Sequence, residues 1–351
     1  MTNSPGRLLR LSRSRWVVVT AALVLFVAIG LIYSLRAVRH PVASPRSPNS
    51  ATLSGADLFG HGRELVFRST VLGPGYGYVA VEPLRGDTPA GPARRFTTIA
   101  CDRVYAAART LLCLAAKRGV VTTYSAVVYD ENLRPVHRIA LPGLPSRARL
   151  SPDGRIASWT VFVYGDSYLS TGFSTRTAIL DTTTGNLIAN LETFSIVLNG
   201  RPYSSVDVNF WGVTFAADDN TFYATLSTRG QTYLVKGDMA RRTVVSLRTN
   251  VECPSLSPDG TRLVFKKRVS SDARAPWRLA VLNVATMQET LLAETRSVDD
   301  QAVWLDNQTV LYAMPEGGAS AGSDLWSVPA DGGGKPQKVL TGAFSPAVLA
   351  G

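Results

Sequence analysis

The sequence holds little of the chemistry that marks metal proteins and hydrolases. Three cysteines and three histidines stand among 351 residues. Three cysteines are too few for a disulfide-dense scaffold or a four-cysteine zinc site. His40, His61 and His137 are widely separated, and none has a second ligand at metal spacing. No H-E-x-x-H stretch and no calcium-loop pattern occurs. The reading at this level is no metal and no cofactor, with the histidines as solvated turn residues.

Acidic residues are missing from positions 1–49, which carry seven arginines. The net charge of +11 is therefore unevenly placed. Taking those seven from 37 basic residues leaves 30, against 26 acidic ones, which is an ordinary soluble surface. A nucleic-acid reader concentrates its charge in the folded domain, so nucleic acid is not the expected partner.

Long hydrophobic runs are absent except one. Trp16 to Leu35, "WVVVTAALVLFVAIGLIYSL", has no charged residue. Twenty residues at helical rise span a bilayer core of about 30 Å. The run exceeds a signal-peptide core, and "RAVRHPVAS" is charged where a cleavage region should be neutral, although Val42-Ala43-Ser44 leaves that alternative open. Arg7, Arg10, Arg13 and Arg15 precede the run, while only Arg36 and Arg39 follow it closely, so the N-terminus is expected inside. The organisation read from this is a cytoplasmic basic segment (1–15), a signal-anchor (16–35), a Pro/Ser-rich tether (36–52) and an extracytoplasmic domain (53–351).

In that domain helical periodicity gives way to repeated punctuation. "RLSPDGRIASW" ends at Trp159 and "SLSPDGTRLVF" at Phe265. In such a turn Pro fixes φ, Asp folds its carboxylate onto the backbone, and Gly accepts positive φ. The six residues Pro152, Asp153, Gly154, Pro258, Asp259 and Gly260 are therefore read as structural. Weaker copies are "GADLFGHGRELVF", "CDRVYAAARTLLC", "WGVTFAADDNTFY" and "DQAVWLDNQTVLY". They end at Phe67, Cys113, Tyr223 and Tyr312, giving a spacing near 45 with one exception, 64 residues between Trp159 and Tyr223. That period predicts one four-stranded propeller blade per repeat.

The Ser-Pro-Asp-Gly frame resembles the WD-like repeats of TolB-type six-bladed β-propellers, over roughly residues 55–350. The resemblance implies an all-β six-bladed propeller. No separate α/β domain stands before the repeats, so TolB's own partner, the peptidoglycan-associated lipoprotein, is not carried over. "AFSPAVLAG" is too short for a blade and is read as a strand closing the ring into the first one.

Two catalytic look-alikes fail on context. Gly318–Gly322 matches G-x-S-x-G, but it lies between two strands and no histidine follows. "GGGKP" at 332–336 lacks the Ser or Thr of a phosphate loop. Cys101 and Cys113 are placed on two strands of one hairpin, equidistant from Ala107, and an extracytoplasmic location favours their disulfide. Cys253 has no mate and reads as a core thiol.

The long spacing puts about twenty extra residues in the third blade, in "YGDSYLSTGFS" and "FSIVLNGRPYSSVD". With 70–78 and 314–324 these segments are expected as loops on the face opposite the Ser-Pro-Asp-Gly turns, removable without loss of stability. Tyr76, Tyr78, Tyr168, Arg201 and Tyr203 are the candidate binding residues there. The function expected is a membrane-anchored protein-binding or scaffolding module, its partner an envelope protein or cell-wall component, with no catalytic residue. The alternative is an enzyme of lactonase or glycan-processing type, or a ligand sensor, working in the central channel. Asp102, Asp207, Glu252 and Asp300 are the acids to watch: convergence within a few ångströms would favour a metal enzyme.

Overall fold

The computed structural model describes residues 13–39, 53–60, 62–86, 88–89, 94–163, 174–316 and 322–350. Helix α1 spans Arg13–Arg39, 27 residues. Its described side chains run only between Val17 and Leu31, and Val17, Leu23, Phe26 and Leu31 among them are exposed. Among the described residues no helix is long and apolar enough to cross a membrane.

The rest is a ring of six sheets, antiparallel but for one strand pair in the fourth blade. The first blade takes β1 (Glu64–Ser69), β2 (Tyr78–Arg85), β3 (Thr88–Pro89) and β4 (Arg95–Ala100). The second takes β5 (Arg103–Ala107), β6 (Thr110–Lys117), β7 (Thr123–Tyr129) and β8 (Pro135–Leu141). The third takes β9 (Leu144–Leu150), β10 (Ile156–Val163), β11 (Ser174–Asp181) and β12 (Leu187–Ile188). A hairpin of β13 (Ser195–Leu198) and β14 (Arg201–Tyr203) precedes the fourth blade, β15 (Asn209–Phe215), β16 (Thr221–Thr228), β17 (Gln231–Asp238) and β18 (Thr243–Thr249). The fifth takes β19 (Glu252–Leu256), β20 (Arg262–Arg268), β21 (Trp277–Asn283) and β22 (Glu289–Leu291). The sixth takes β23 (Val303–Trp304), β24 (Thr309–Pro315), β25 (Ser323–Pro329) and β26 (Gln337–Leu340). Strand β27 (Ala343–Leu349) then pairs antiparallel with β1 and becomes the innermost strand of the first blade. The chain end thus closes the ring as its sequence predicts.

Phe67, Cys113, Trp159, Tyr223, Phe265 and Tyr312 all fall on the second strand of their blades, and all are buried. The repeat works because this strand is flanked on both sides and can face two layers of apolar neighbours. The first copy departs from the frame. Residues Gly55–Phe59 form a short helix, α2, rather than a strand. Ser54 Oγ accepts from Asp57 N and the Asp57 carboxylate accepts from Ser54 N, a reciprocal cap that starts the helix. Leu58 drives into the core between the first two blades, and the inner-strand position it leaves is filled by β27.

The two Ser-Pro-Asp-Gly turns have the same bonds. Gly154 N donates to Ser151 O at 2.9 Å, and Gly260 N to Ser257 O at 2.9 Å. Each Asp Oδ1 accepts from the preceding Ser hydroxyl at 2.5 Å and from a backbone N two residues on at 3.0 Å. The same hydroxyls accept from Ile156 N and Arg262 N, so the serine is as much a part of the turn as the Pro, Asp and Gly. Burial opposes the charge on Asp153 and Asp259, but these hydrogen bonds outweigh it and hold both carboxyls below their ordinary range. Gly154 and Gly260 sit at φ +79° and +71°. They differ in surroundings. A Cβ on Gly154 would meet Thr110 Oγ1 at 2.6 Å and Ala107 O at 2.9 Å in the second blade, whereas one on Gly260 meets nothing within 4 Å. Gly260→Ala should therefore cost about 1–2 kcal/mol for the left-handed backbone alone, and Gly154→Ala more, because a blade contact must also open. Urea unfolding of the two variants checks this; equal losses would reject the contact.

Candidate functional site: a plugged channel above a blind funnel

The innermost strands run from the inter-blade connections down to the turns. This defines a loop face and a turn face. Residues i and i+2 on these strands share the channel side. Arg103 and Tyr105 on β5, and Arg147 and Arg149 on β9, therefore line it in two layers.

The upper layer is crossed by the sixth blade. Its inner strand β23 is only two residues long, and the residues before it turn inward. Asp300 accepts from Arg103 Nη1 at 2.9 and 2.7 Å and lies 3.4 Å from Arg147 Nη1. Gln301 Nε2 donates to Val213 O at 3.2 Å and to Pro254 O at 2.8 Å. Arg149 Nη2 donates to Ala302 O at 3.2 Å. One segment thereby touches the second, third, fourth and fifth blades. A void of about 20 Å³ remains among these side chains, too little for a ligand. Burial disfavours the charge on Asp300, but Arg103 and Arg147 outweigh it and hold the carboxyl below its usual range.

Below this plug lies a cavity of about 730 Å³ among the turns. Tyr105, Arg149, Phe215, Leu256, Trp304 and Val348 form its walls and floor. Trp304 is fixed by donating Nε1–H to Ser255 O at 2.8 Å, and the Arg149 guanidinium lies 4.5 Å over the Tyr105 ring. Sequence reasoning reaches only the central channel as an alternative working site and reads the lining turn residues Pro152, Pro258, Asp259 and Gly260 as structural. It does not single out Arg149, Phe215 and Trp304, because they come from different blades and no spacing rule joins them.

The four acids singled out in the sequence do not converge. Asp300 serves the plug. Glu252 accepts from Trp277 Nε1 at 3.0 Å and lies 3.9 Å from Lys266 Nζ. Asp207 accepts from Ser205 Oγ, Arg229 N and Thr228 Oγ1, which hold it down to about 2. Asp102 lies in the link between β4 and β5 and donates its N–H to Leu114 O. Among the described residues no three of His, Cys, Asp and Glu form a metal-sized group.

The candidate binding residues are dispersed. Tyr78 is 8% exposed, a core residue at the start of β2. Tyr76 is half-buried, with Arg68 5.0 Å above its ring. Tyr203 donates or accepts at Thr228 Oγ1 over 2.7 Å and lies under Arg229. Arg201 is exposed. Tyr168, most of the 164–174 loop, His40, His61 and Gly318–Ala321 lie outside the described residues. His137 does not stand free: its Nε2 lies 2.6 Å from Thr182 O in the next blade.

The second extra segment is not a removable loop. Strand β13 pairs parallel with β18, so the hairpin extends the fourth blade to six strands. Leu191, Phe194 and Ile196 are buried in that blade's core. Trimming 194–205 would uncover them, contrary to the sequence-based expectation.

Cys101 and Cys113 form a disulfide with Cα atoms 5.5 Å apart. The hairpin register differs from the expected one. Cys113 pairs with Val104, and Cys101 lies before β5, in the link from the first blade. The bond therefore ties an inter-blade connection to a middle strand. Cys253 is a buried free thiol, as its lack of a mate implies.

The architecture defines a six-bladed β-propeller closed by its C-terminal strand. No protein-family description matches the sequence, and no curated protein is similar to it. Among solved structures, TolB from Acinetobacter baumannii is 16% identical, with a TM-score of 0.57 over 84% of this chain and 69% of that one. A chain of a nidogen/laminin complex is 12% identical, with a TM-score of 0.55 over 82% of this chain and 98% of that one. A puromycin-hydrolyzing peptidase of Mycobacterium tuberculosis, 13% identical, gives a TM-score of 0.45 over 85% of this chain and 48% of that one. The fold is a TolB-like propeller; at these identities the likeness is one of fold.

Proposed function

We propose that the protein is a membrane-anchored, extracytoplasmic propeller that binds or scaffolds a protein of the cell envelope through its loop face and the added hairpin of the fourth blade. The observation that carries this reading is that hairpin. Among the described residues no other blade carries such a hairpin, it leaves Arg201 exposed, and Pro202 in β14 blunts the edge against another strand. A partner would thus be recognised by side chains rather than by strand addition. The fold supports the reading in general terms, since one of the similar structures is a propeller in a protein complex. The dispersed acids and the plugged channel favour binding over chemistry in the channel. The uncharged sequence run from Trp16 to Leu35 and the arginines before it support the anchor and its orientation.

Two measurements test the proposal. A protease-cleavable tag after Gly351 should be cut in intact cells while the protein stays with the membrane fraction. A protected tag would reject the location. A photo-crosslinking residue at Arg201 should capture a protein in cells, and one at Arg155 on the turn face should not. Capture from Arg155 alone would move the working face.

A further inference from the structure

The funnel and its floor carry a separate inference. Arg149 is 4% exposed. Its neighbours Arg103 and Arg147 share Asp300, but among the described residues no carboxylate pairs with Arg149. Among the described residues it makes one hydrogen bond, to Ala302 O, its guanidinium lies over the Tyr105 ring, and its Nε has no hydrogen-bond partner. An arginine buried without countercharge is costly, and this one lines the cavity among the turns. In the plug above, the guanidinium groups of Arg103 and Arg147 meet Asp300, and the Asp299 carboxylate also acts on Arg147, so those charges are compensated where Arg149 is not. The funnel walls combine apolar and aromatic side chains, Phe215, Leu256, Trp304 and Val348, with polar ones such as Asn307 and Arg63, whose guanidinium donates to Gly86 O and Leu305 O, around a volume in the range of small-ligand sites. The acids at the rim are engaged elsewhere: Asp259 caps its turn, and Asp306 accepts from Gln308 N and Thr309 N.

We propose that this funnel binds an amphipathic carboxylate, its head on Arg149 and its apolar body along Trp304, Phe215 and Leu256. A carboxylate supplies what the guanidinium lacks, a planar anion able to take two N–H bonds in one plane. A cation is disfavoured by the floor, and a neutral apolar molecule leaves Arg149 unsatisfied. The plug makes the funnel blind, so a ligand enters and leaves only through the turn face. This site is independent of the loop-face proposal, and either can fail alone.

The test is calorimetric titration of the full chain in lipid nanodiscs, with empty nanodiscs subtracted. The probes are decanoate and 2-naphthoate, which distinguish an aliphatic source from an aromatic one, and decanol as the uncharged control. Binding of either acid, at least about tenfold tighter than decanol, is expected. Arg149→Met should weaken it by about tenfold or more. Ala217→Trp, a change at an exposed position on the rim, should block access while leaving the fold intact, so the site remains testable if Arg149→Met fails to fold. Equal binding of acid and alcohol, undiminished binding in both variants, or no binding of either acid would overturn the proposal.

Discussion

Replacing Asp300 with Ala should cost about 3–5 kcal/mol, the range for removing one member of a buried ion group and leaving its partners uncompensated. Arg103 and Arg147, side by side on adjacent inner strands, would then lose the carboxylate they share, and the Gln301 bonds to the fourth and fifth blades would lose their anchor. Exposure does not dilute the effect, because the three side chains are only 10–16% exposed. The sign with pH is fixed by the depressed carboxyl. A carboxylate whose folded pKa lies below its unfolded value stabilises above the unfolded value, near 3.9 for Asp, and that contribution disappears as pH falls through the folded one. Urea unfolding of wild type and Asp300→Ala should therefore differ most at neutral pH and converge as pH drops below about 4. A full-sized difference at pH 7 that persisted unchanged into strong acid would mean the residue acts by packing rather than by charge. No difference at pH 7 would mean the plug contributes nothing to closure.

Breaking the disulfide is expected to cost about 3 kcal/mol, the chain-entropy value for a loop of this length. The Cys101→Ser, Cys113→Ser double variant should melt on the order of 5 °C lower. The placement makes the loss non-local. Arg68 Nε donates to Cys101 O at 2.8 Å and Cys101 N donates to Gly77 O at 3.0 Å, so the connection held by the bond also organises the loop face of the first blade. Non-reducing peptide mapping should link Cys101 to Cys113 and leave Cys253 alkylated only after denaturation. Labelling of all three thiols without reductant would refute the bond and, with it, one support for an oxidising compartment.

The blade count, the turns and the closing strand are legible in the sequence because each rests on local rules. A Ser-Pro-Asp-Gly turn needs φ values and hydrogen bonds that its own four residues and their immediate neighbours supply. A strand buried on both sides shows itself as a short apolar run. A period near 45 residues then fixes how many blades follow one another. The errors arise where a segment's partner is distant. Residues 194–205 look like a polar loop by composition, yet Phe194 and Ile196 find a core made by β15, β16 and β18. Cys101 appears opposite Cys113 by symmetry about Ala107, yet the register is set by Val104 facing Cys113. Tyr78 and Tyr203 have the composition of contact residues, but neighbouring blades and turns engage them.

The sequence by itself determined a repeated β-propeller with structural turns, a single long apolar segment at its N-terminus, and one cysteine pair with a third thiol left over. Only the tertiary structure decided what fills the channel. Arg103, Arg147 and Asp300 stand 44 and 153 residues apart along the chain, and no spacing rule joins them. Ring closure brings their strands to one axis, where buried Arg103 and Arg147 both meet Asp300 and Arg149 lies beneath them with no carboxylate partner among the described residues.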